Sequence, residues 1–242
     1  MITIIGTGHI YDLGRAMMFL IKNIWPQAVL VELDVSRYKM MESRPKDDDL
    51  KDGNNGDDDM PWIYKRSAKY QQKMAEENKT TVGNELLVAV NMGRLVGAEI
   101  GFIDTDAHRT MKEMWEQMPF KEKARYTMST YRDRIVGKRG ADEVVEDFAK
   151  REEEMLADMR RKYPTLVRKL IDERNEHMAK QIMEYSEKYD NIVVVCGDAH
   201  VEGISKLLEG KDIRKIRLMD LKDEKRIKEV YSDIWNHERD DQ

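Results

Sequence analysis

Two short stretches of the chain share one form, Gly6-Thr7-Gly8-His9 and Gly197-Asp198-Ala199-His200. In each, a glycine lets the backbone turn sharply and an imidazole follows three residues later. The chain has only five histidines, so two in the same setting carry weight that neither copy carries alone. Carboxylates recur in comparable places, with Glu32 and Asp34 after an apolar run at 28–31, and Asp104 and Asp106 after another at 100–103. Two imidazoles with one or two of these acids make a good ligand set for a divalent ion such as zinc, manganese, cobalt or iron, with a position left for water. His9, His200, Glu32 and Asp104 are the candidate ligands. Such an ion lowers the pKa of water toward neutrality, and Glu32 would take the proton as general base. The chemistry implied is hydrolysis.

Other residues could serve that centre. Arg174 falls within an apolar stripe made by Val167, Leu170, Ile171, Met178, Ile182 and Tyr185, and a guanidinium facing a core needs an anion. Glu32, Asp34, Asp104 or a substrate carbonyl becoming an oxyanion would each provide one, and an ordinary salt bridge at the helix edge is the plainer reading. Asn175 borders the same face and would hold a substrate amide or a ligand histidine. Arg37 either orients Glu32 or binds substrate. Glu85 opens an expected helix, where the backbone dipole favours a carboxylate in any case. His108, His177 and His237 stand in charged helical surroundings and read as surface residues, and Cys196 reads as a small packing residue.

These residues need a frame that brings them together. Four strand-like runs, at 2–5, 28–31, 100–103 and 192–196, each end in one of the chemical groups. In an open parallel sheet the strands point one way, and all four endings converge on the carboxyl edge, where such folds place ligands. Between the first two runs, Leu13, Ala16, Met17, Leu20 and Ile24 recur at helical spacing until Pro26, with Asp12 as a helix cap, which makes a βαβ unit. Further helices are expected at about 62–78, from 84 toward Gly97, at 107–117 and 122–135, and as a pair across 142–188 meeting at Pro164. A last strand at 213–219 and a polar helix follow. The expected fold is α/β, a central mostly parallel sheet flanked by helices, with a helical insertion between strands, in a single domain over 1–242. Residues 44–60, where acids surround Gly53-Asn54-Asn55-Gly56, are expected to form a flexible acidic loop. Leu50 and Gly53 stand where a calcium loop would need oxygen ligands.

Composition narrows the function. The 242 residues carry 42 Lys and Arg against 47 Asp and Glu, a net charge of −5, which argues against a nucleic-acid partner held by bulk charge. Hydrophobic residues make up 40% and charged residues 37%, against a usual charged share of about 25%, so a core with a heavily charged surface is expected. One cysteine allows neither a disulfide nor a cysteine-based zinc site within the chain. The longest apolar run, at 16–21, falls far short of the roughly 18 residues of a membrane span, and no basic segment precedes the first strand. A cytoplasmic protein is expected, with a homodimer as the commonest assembly. Neither a Gly-x-Ser-x-Gly nor a P-loop occurs. Gly6-x-Gly8 with Glu32 and Asp34 downstream imitates a dinucleotide-binding start, but Tyr11 stands where the third glycine belongs.

Taken in order, these residues resemble the TraB family: Gly6-Thr7-Gly8-His9, Val31-Glu32-Leu33-Asp34 with Arg37, Gly97-Ala98-Glu99 leading to Ile103-Asp104, Glu173-Arg174-Asn175 with Met178, and Gly197 through Gly203. That family includes the PrgY-type pheromone-shutdown proteins and is related to the Tiki metalloproteases. The resemblance implies a peptidase dependent on a divalent metal, Mn, Co or Zn, with peptides as substrates. It implies His9 and His200 as metal-site residues, with Glu32, Arg174 and Asn175 around them. Many microbial members carry membrane helices after this domain, whereas this sequence continues into a polar helix. The second motif reads Gly-Asp-Ala-His where Gly-Ala-Gly-His is more usual, which adds Asp198 near the site. A peptide binder without catalysis is the alternative, and a nucleotide binder a more distant one.

Overall fold

The computed structural model describes residues 1–43, 62–78, 80–136 and 141–240, so the acidic segment at 44–60 lies outside the described residues. Five strands occur among the described residues: β1 (Ile2–Thr7), β2 (Ala28–Val31), β3 (Glu99–Phe102), β4 (Ile192–Gly197) and β5 (Ile213–Ile216). The helices are α1 (Gly14–Ile24), α2 (Val35–Glu42), α3 (Trp62–Glu77), α4 (Asn84–Leu95), α5 (Ala107–Gln117), α6 (Phe120–Val136), α7 (Ala141–Lys162), α8 (Pro164–Val167), α9 (Glu173–Ser186), α10 (Asp198–Leu207), α11 (Leu218–Lys222) and α12 (Glu224–Asp240). A π turn, Arg168–Asp172, joins α8 to α9.

Every strand pairing is parallel, in the order β3-β2-β4-β1-β5. Val195 lies opposite both Ile5 and Val31, and Val31 opposite Phe102, so the strands end at one common edge. The fold is the expected α/β arrangement. β1, β2 and most of β4 are buried, as continuous apolar runs are when helices cover both sheet faces. Side chains alternate between those faces. Ile5, Val29, Val31, Val193 and Val195 pack with Met17, Leu20 and Ile21 of α1 and Leu86, Ala89 and Val90 of α4. Ile4, Leu30, Val194 and Cys196 pack with Met178 and Ile182 of α9 and Val201 and Ile204 of α10.

The expected helical insertion is α5 to α8, between β3 and β4, with its own core of Met114, Met118, Leu166 and Val167. One expectation fails here. The apolar residues from Val167 to Tyr185 do not form a continuous stripe. The π turn changes the angular step, so Leu170 and Ile171 pack into the insertion while Met178 and Ile182 pack under the sheet. The last strand is also shorter than expected. It stops at Ile216, because Asp198 Oδ1 accepts the Leu218 N–H at 2.8 Å and Asp220 accepts the Arg217 N–H at 2.9 Å, starting α11. Among the described residues, no helix is long and apolar enough to cross a membrane.

Candidate functional site

Strand order brings the two histidine motifs together. β4 lies between β2 and β1, so the residues after β4 are flanked by Glu32 on one side and His9 on the other. Gly197 marks the meeting point. A Cβ built there would lie 3.3 Å from Glu32 Oε2, 3.6 Å from His200 Cδ2 and 3.7 Å from His9 Nε2. A side chain at 197 would fill the space these three groups share.

Each imidazole is fixed through its Nδ1. His9 Nδ1–H donates to Glu85 Oε1 at 2.6 Å, and Glu85, the second residue of α4, is completely buried. The Thr7 hydroxyl lies 3.2 Å from the same oxygen, and the Gly83 N–H donates to the His9 carbonyl at 3.2 Å. Glu85 therefore corrects the expectation of simple helix-start duty: it is the anchor of His9. His200, in the first turn of α10, donates Nδ1–H to Asn175 Oδ1 at 2.6 Å. The acceptors assign both tautomers, leaving each Nε2 with its lone pair.

Glu32, Asp104 and Arg174 form the charged part. Arg174 donates through Nε to Asp104 Oδ1 at 2.9 Å and through Nη2 to Asp104 Oδ2 at 2.8 Å, while Nη2 also donates to Glu32 Oε1. Its Nη1 lies 3.2 Å from His200 Nε2 and donates to the Leu170 carbonyl, within the π turn, at 3.2 Å. Glu32 Oε2 accepts the Gly197 N–H at 2.5 Å. Of the anions proposed for Arg174, Glu32 and Asp104 are the ones it meets. Asn175 takes the histidine-holding option.

The electrostatics follow from these contacts. Burial pushes the Glu32 carboxyl up, but the charges of His200, Arg174 and His9 and the Gly197 N–H together hold it well below the ordinary carboxylate range. Burial alone would lower His9, yet the charge and hydrogen bond of Glu85 raise it above the usual imidazole value. His200 has no such acid on its Nδ1, and burial, aided by the Arg174 charge, lowers it.

Other expectations change. Arg37 does not reach Glu32; its Nη1 lies 3.6 Å from Asp104 Oδ2. Asp34 and Asp106 cap helices, accepting the N–H groups of Ser36 and Arg37, and of Arg109. Asp198 turns beneath Gly6 and pairs with Arg217, whose Nε and Nη2 donate to it at 2.9 and 2.8 Å. His177 is exposed, as expected, but lines a cavity of about 320 Å³ whose wall includes Arg174, Lys169 and Glu173. His108 is half-buried rather than on the surface. The side chain of His237 lies outside the described residues.

The donor chemistry fits a divalent ion: two imidazole Nε2 lone pairs beside a carboxylate, each ring oriented by an acceptor behind it. Among the described residues, no group of three or more His, Cys, Asp and Glu side chains is already gathered in a geometry that would hold one. Asp104 in particular is engaged by Arg174 and by the Thr105 N–H.

The sequence profile of the TraB/PrgY/gumN family matches residues 1–216, from β1 through the end of β5, a span that contains every residue of this site. The chain belongs to that family. An uncharacterized protein of Methanocaldococcus jannaschii, MJ1365, is 30% identical over 232 residues, which cover 93% of this chain and 58% of that protein. The chain thus spans under two thirds of the length of this relative.

Proposed function

We propose that this TraB-family chain is a divalent-metal-dependent hydrolase that cuts peptides. One observation carries the reading: His9 and His200 reach a common point at Gly197 from different strands, each locked at Nδ1 by a buried acceptor so that Nε2 carries the lone pair. Such a carboxylate or carbonyl behind an imidazole is the usual support of a metal-binding histidine. His9 and His200, with Glu32 beside them, would hold the ion, Mn, Co or Zn. What the ion supplies when bound is Lewis acidity, lowering the pKa of water and polarising a carbonyl.

The chain's own residues then have distinct parts. Glu32 remains ionised through the neutral range and is the acceptor for a proton from attacking water. The Gly197 N–H fixes one oxygen of that carboxylate, which keeps the other directed at His200 and Arg174. Arg174 presents a fixed positive charge between the centre and the cavity, where it would favour an oxyanion developing on a peptide carbonyl. Asp104 orients Arg174 through both oxygens. The cavity, lined by Thr105, Thr110, Glu113 and His177 as well as Arg174, is polar enough to take a peptide segment through hydrogen bonds.

The test is cleavage of a peptide library by the purified chain with Mn, Co or Zn added, compared with His9→Ala and His200→Ala. Metal-dependent cleavage lost in both variants supports the reading, and activity unchanged in both removes it. One observation favours the alternative, peptide capture without cleavage: Glu32 and Asp104 are both already paired with Arg174. Recovery of an intact bound peptide after prolonged incubation with each metal would select that alternative. A nucleotide site has less support, since Asp34 is spent on capping α2 and Glu32 on Arg174 and Gly197.

A further inference from the structure

The donors that would hold a divalent ion are already in contact with a cation belonging to the chain. Arg174 Nη2 donates to Glu32 Oε1, and Nη1 lies 3.2 Å from His200 Nε2. Because the Nδ1–H of His200 is committed to Asn175, its Nε2 can only accept, and the group it meets is a guanidinium N–H. Two of the three groups assigned to the ion are thus satisfied by one arginine. The third, His9, is held by Glu85 instead.

Arg174 is not held equally by its two acids. Asp104 receives two N–H groups, one on each oxygen, in the forked geometry that is strong and orientation-specific. Glu32 receives one, and its other oxygen is taken by the Gly197 N–H. Release of Glu32 therefore breaks a single N–H contact, whereas release of Asp104 would break two. Arg174 also lines the cavity, together with Glu173 and Glu113.

From these contacts we infer that Arg174 is a resident cation that competes with a divalent ion for Glu32 and His200, so that loading the centre requires the guanidinium to release both while Asp104 keeps its hold. The inference rests on the metal-site reading and adds how that site is regulated. The state that accepts the ion is only a fraction of the unloaded protein, and apparent affinity falls by that fraction. The single lone pair of His200 Nε2 can serve the guanidinium or the ion but not both, and the guanidinium that meets it is the one that meets Glu32. Arginine and the ion alternate at one place, and the unloaded centre is never left with an unpaired buried acid.

Calorimetric titration of Mn, Co and Zn into the full chain tests this, with Arg174→Met, which removes the charge and keeps the length, and Arg174→Lys. Removing the competitor is expected to tighten binding about tenfold or more in Arg174→Met. Arg174→Lys keeps a positive charge for the two acids but cannot span them as a fork, and is expected to bind with intermediate affinity. Free guanidinium ion at millimolar level should weaken metal binding by Arg174→Met and leave the wild-type chain unaffected. Circular dichroism checks that each variant is folded, and Arg174→Lys carries the test if Arg174→Met is not. Equal or weaker affinity in the folded variants overturns the inference while leaving the metal site standing. Binding by none of the proteins overturns both.

Discussion

Glu85 accepts the Nδ1–H of His9 at 2.6 Å from a position with no solvent exposure, across 76 residues of sequence. A buried carboxylate on that nitrogen fixes the ring, selects the tautomer and makes Nε2 a stronger base. Glu85→Gln keeps an acceptor and removes the charge. The His9 pKa, raised by that charge, should fall, and affinity for the divalent ion should drop by about 10- to 100-fold. NMR of the imidazole and a metal titration check both. A Glu85→Gln chain with unchanged His9 titration would contradict the anchoring role.

Asn175 does for His200 what Glu85 does for His9, and Gly203 is what lets it. A Cβ on Gly203 would fall 2.1 Å from Asn175 Nδ2, nearer than any side chain tolerates. Gly203→Ala should therefore push Asn175 away from His200 without touching the histidine. The overpacking should cost about 1–3 kcal/mol of stability. Metal affinity should fall as well, as it should in Asn175→Leu. Denaturant unfolding together with metal titration separates the two losses; an alanine variant with full affinity would show that Asn175 does not govern the ring.

The two histidines should titrate on opposite sides of their ordinary value of 6.5. His200 is lowered, chiefly by burial, and His9 is raised by Glu85 against its own burial. Their effects on stability oppose each other. The contribution of His9 is fully present below 6.5 and is lost as pH rises through its folded value. His200 costs stability as pH falls below 6.5, since the unfolded chain takes up that proton first. The contribution of Glu32 is present above 4.5 and is lost as pH falls from there toward its folded value. Proton NMR across the neutral range gives the order of the two rings, and urea unfolding below pH 4.5 gives the acid limb. His200 titrating above His9 would contradict the assigned partners.

Asp198 should prove structural although it stands inside the second histidine motif. Its Oδ1 accepts from Arg217 and from the Leu218 N–H, and Glu152 also pairs with Arg217 at 2.8 Å. Asp198→Asn should destabilise the fold by about 1–3 kcal/mol while leaving metal affinity within twofold or so. Thermal unfolding and metal titration of the one variant decide; lost affinity in a fully stable chain would return Asp198 to the site.

The strands and the convergence of their ends were legible in the sequence because parallel strands buried on both faces leave unbroken apolar runs, as Ile192 to Cys196 does. His9, His200 and Glu32 could be read as neighbours for the same reason. Glu85 was hidden because a carboxylate in the first turn of a helix has an ordinary explanation, and nothing local reports that α4 docks its first turn against His9. The signal that was available is that Glu85 is followed at once by Leu86, a core residue, so the start of that helix is not solvent-facing. Of the two roles open to Arg37, orienting Glu32 gives way to a contact with Asp104, because closeness in sequence to Glu32 hides the closeness in space of Asp104. Periodicity alone also gave no sign of the π turn, which splits the apolar stripe while carrying Arg174 and Asn175 to the centre.

Cobalt(II) titration followed by visible absorption tests the account at its root, because the position and intensity of the bands change when the ion leaves water for a protein site of lower coordination number. The wild-type chain should bind one cobalt with a ligand-field spectrum, and His9→Ala and His200→Ala should each lose it while staying folded. A spectrum kept in both single variants would contradict the claim that these two imidazoles hold one ion.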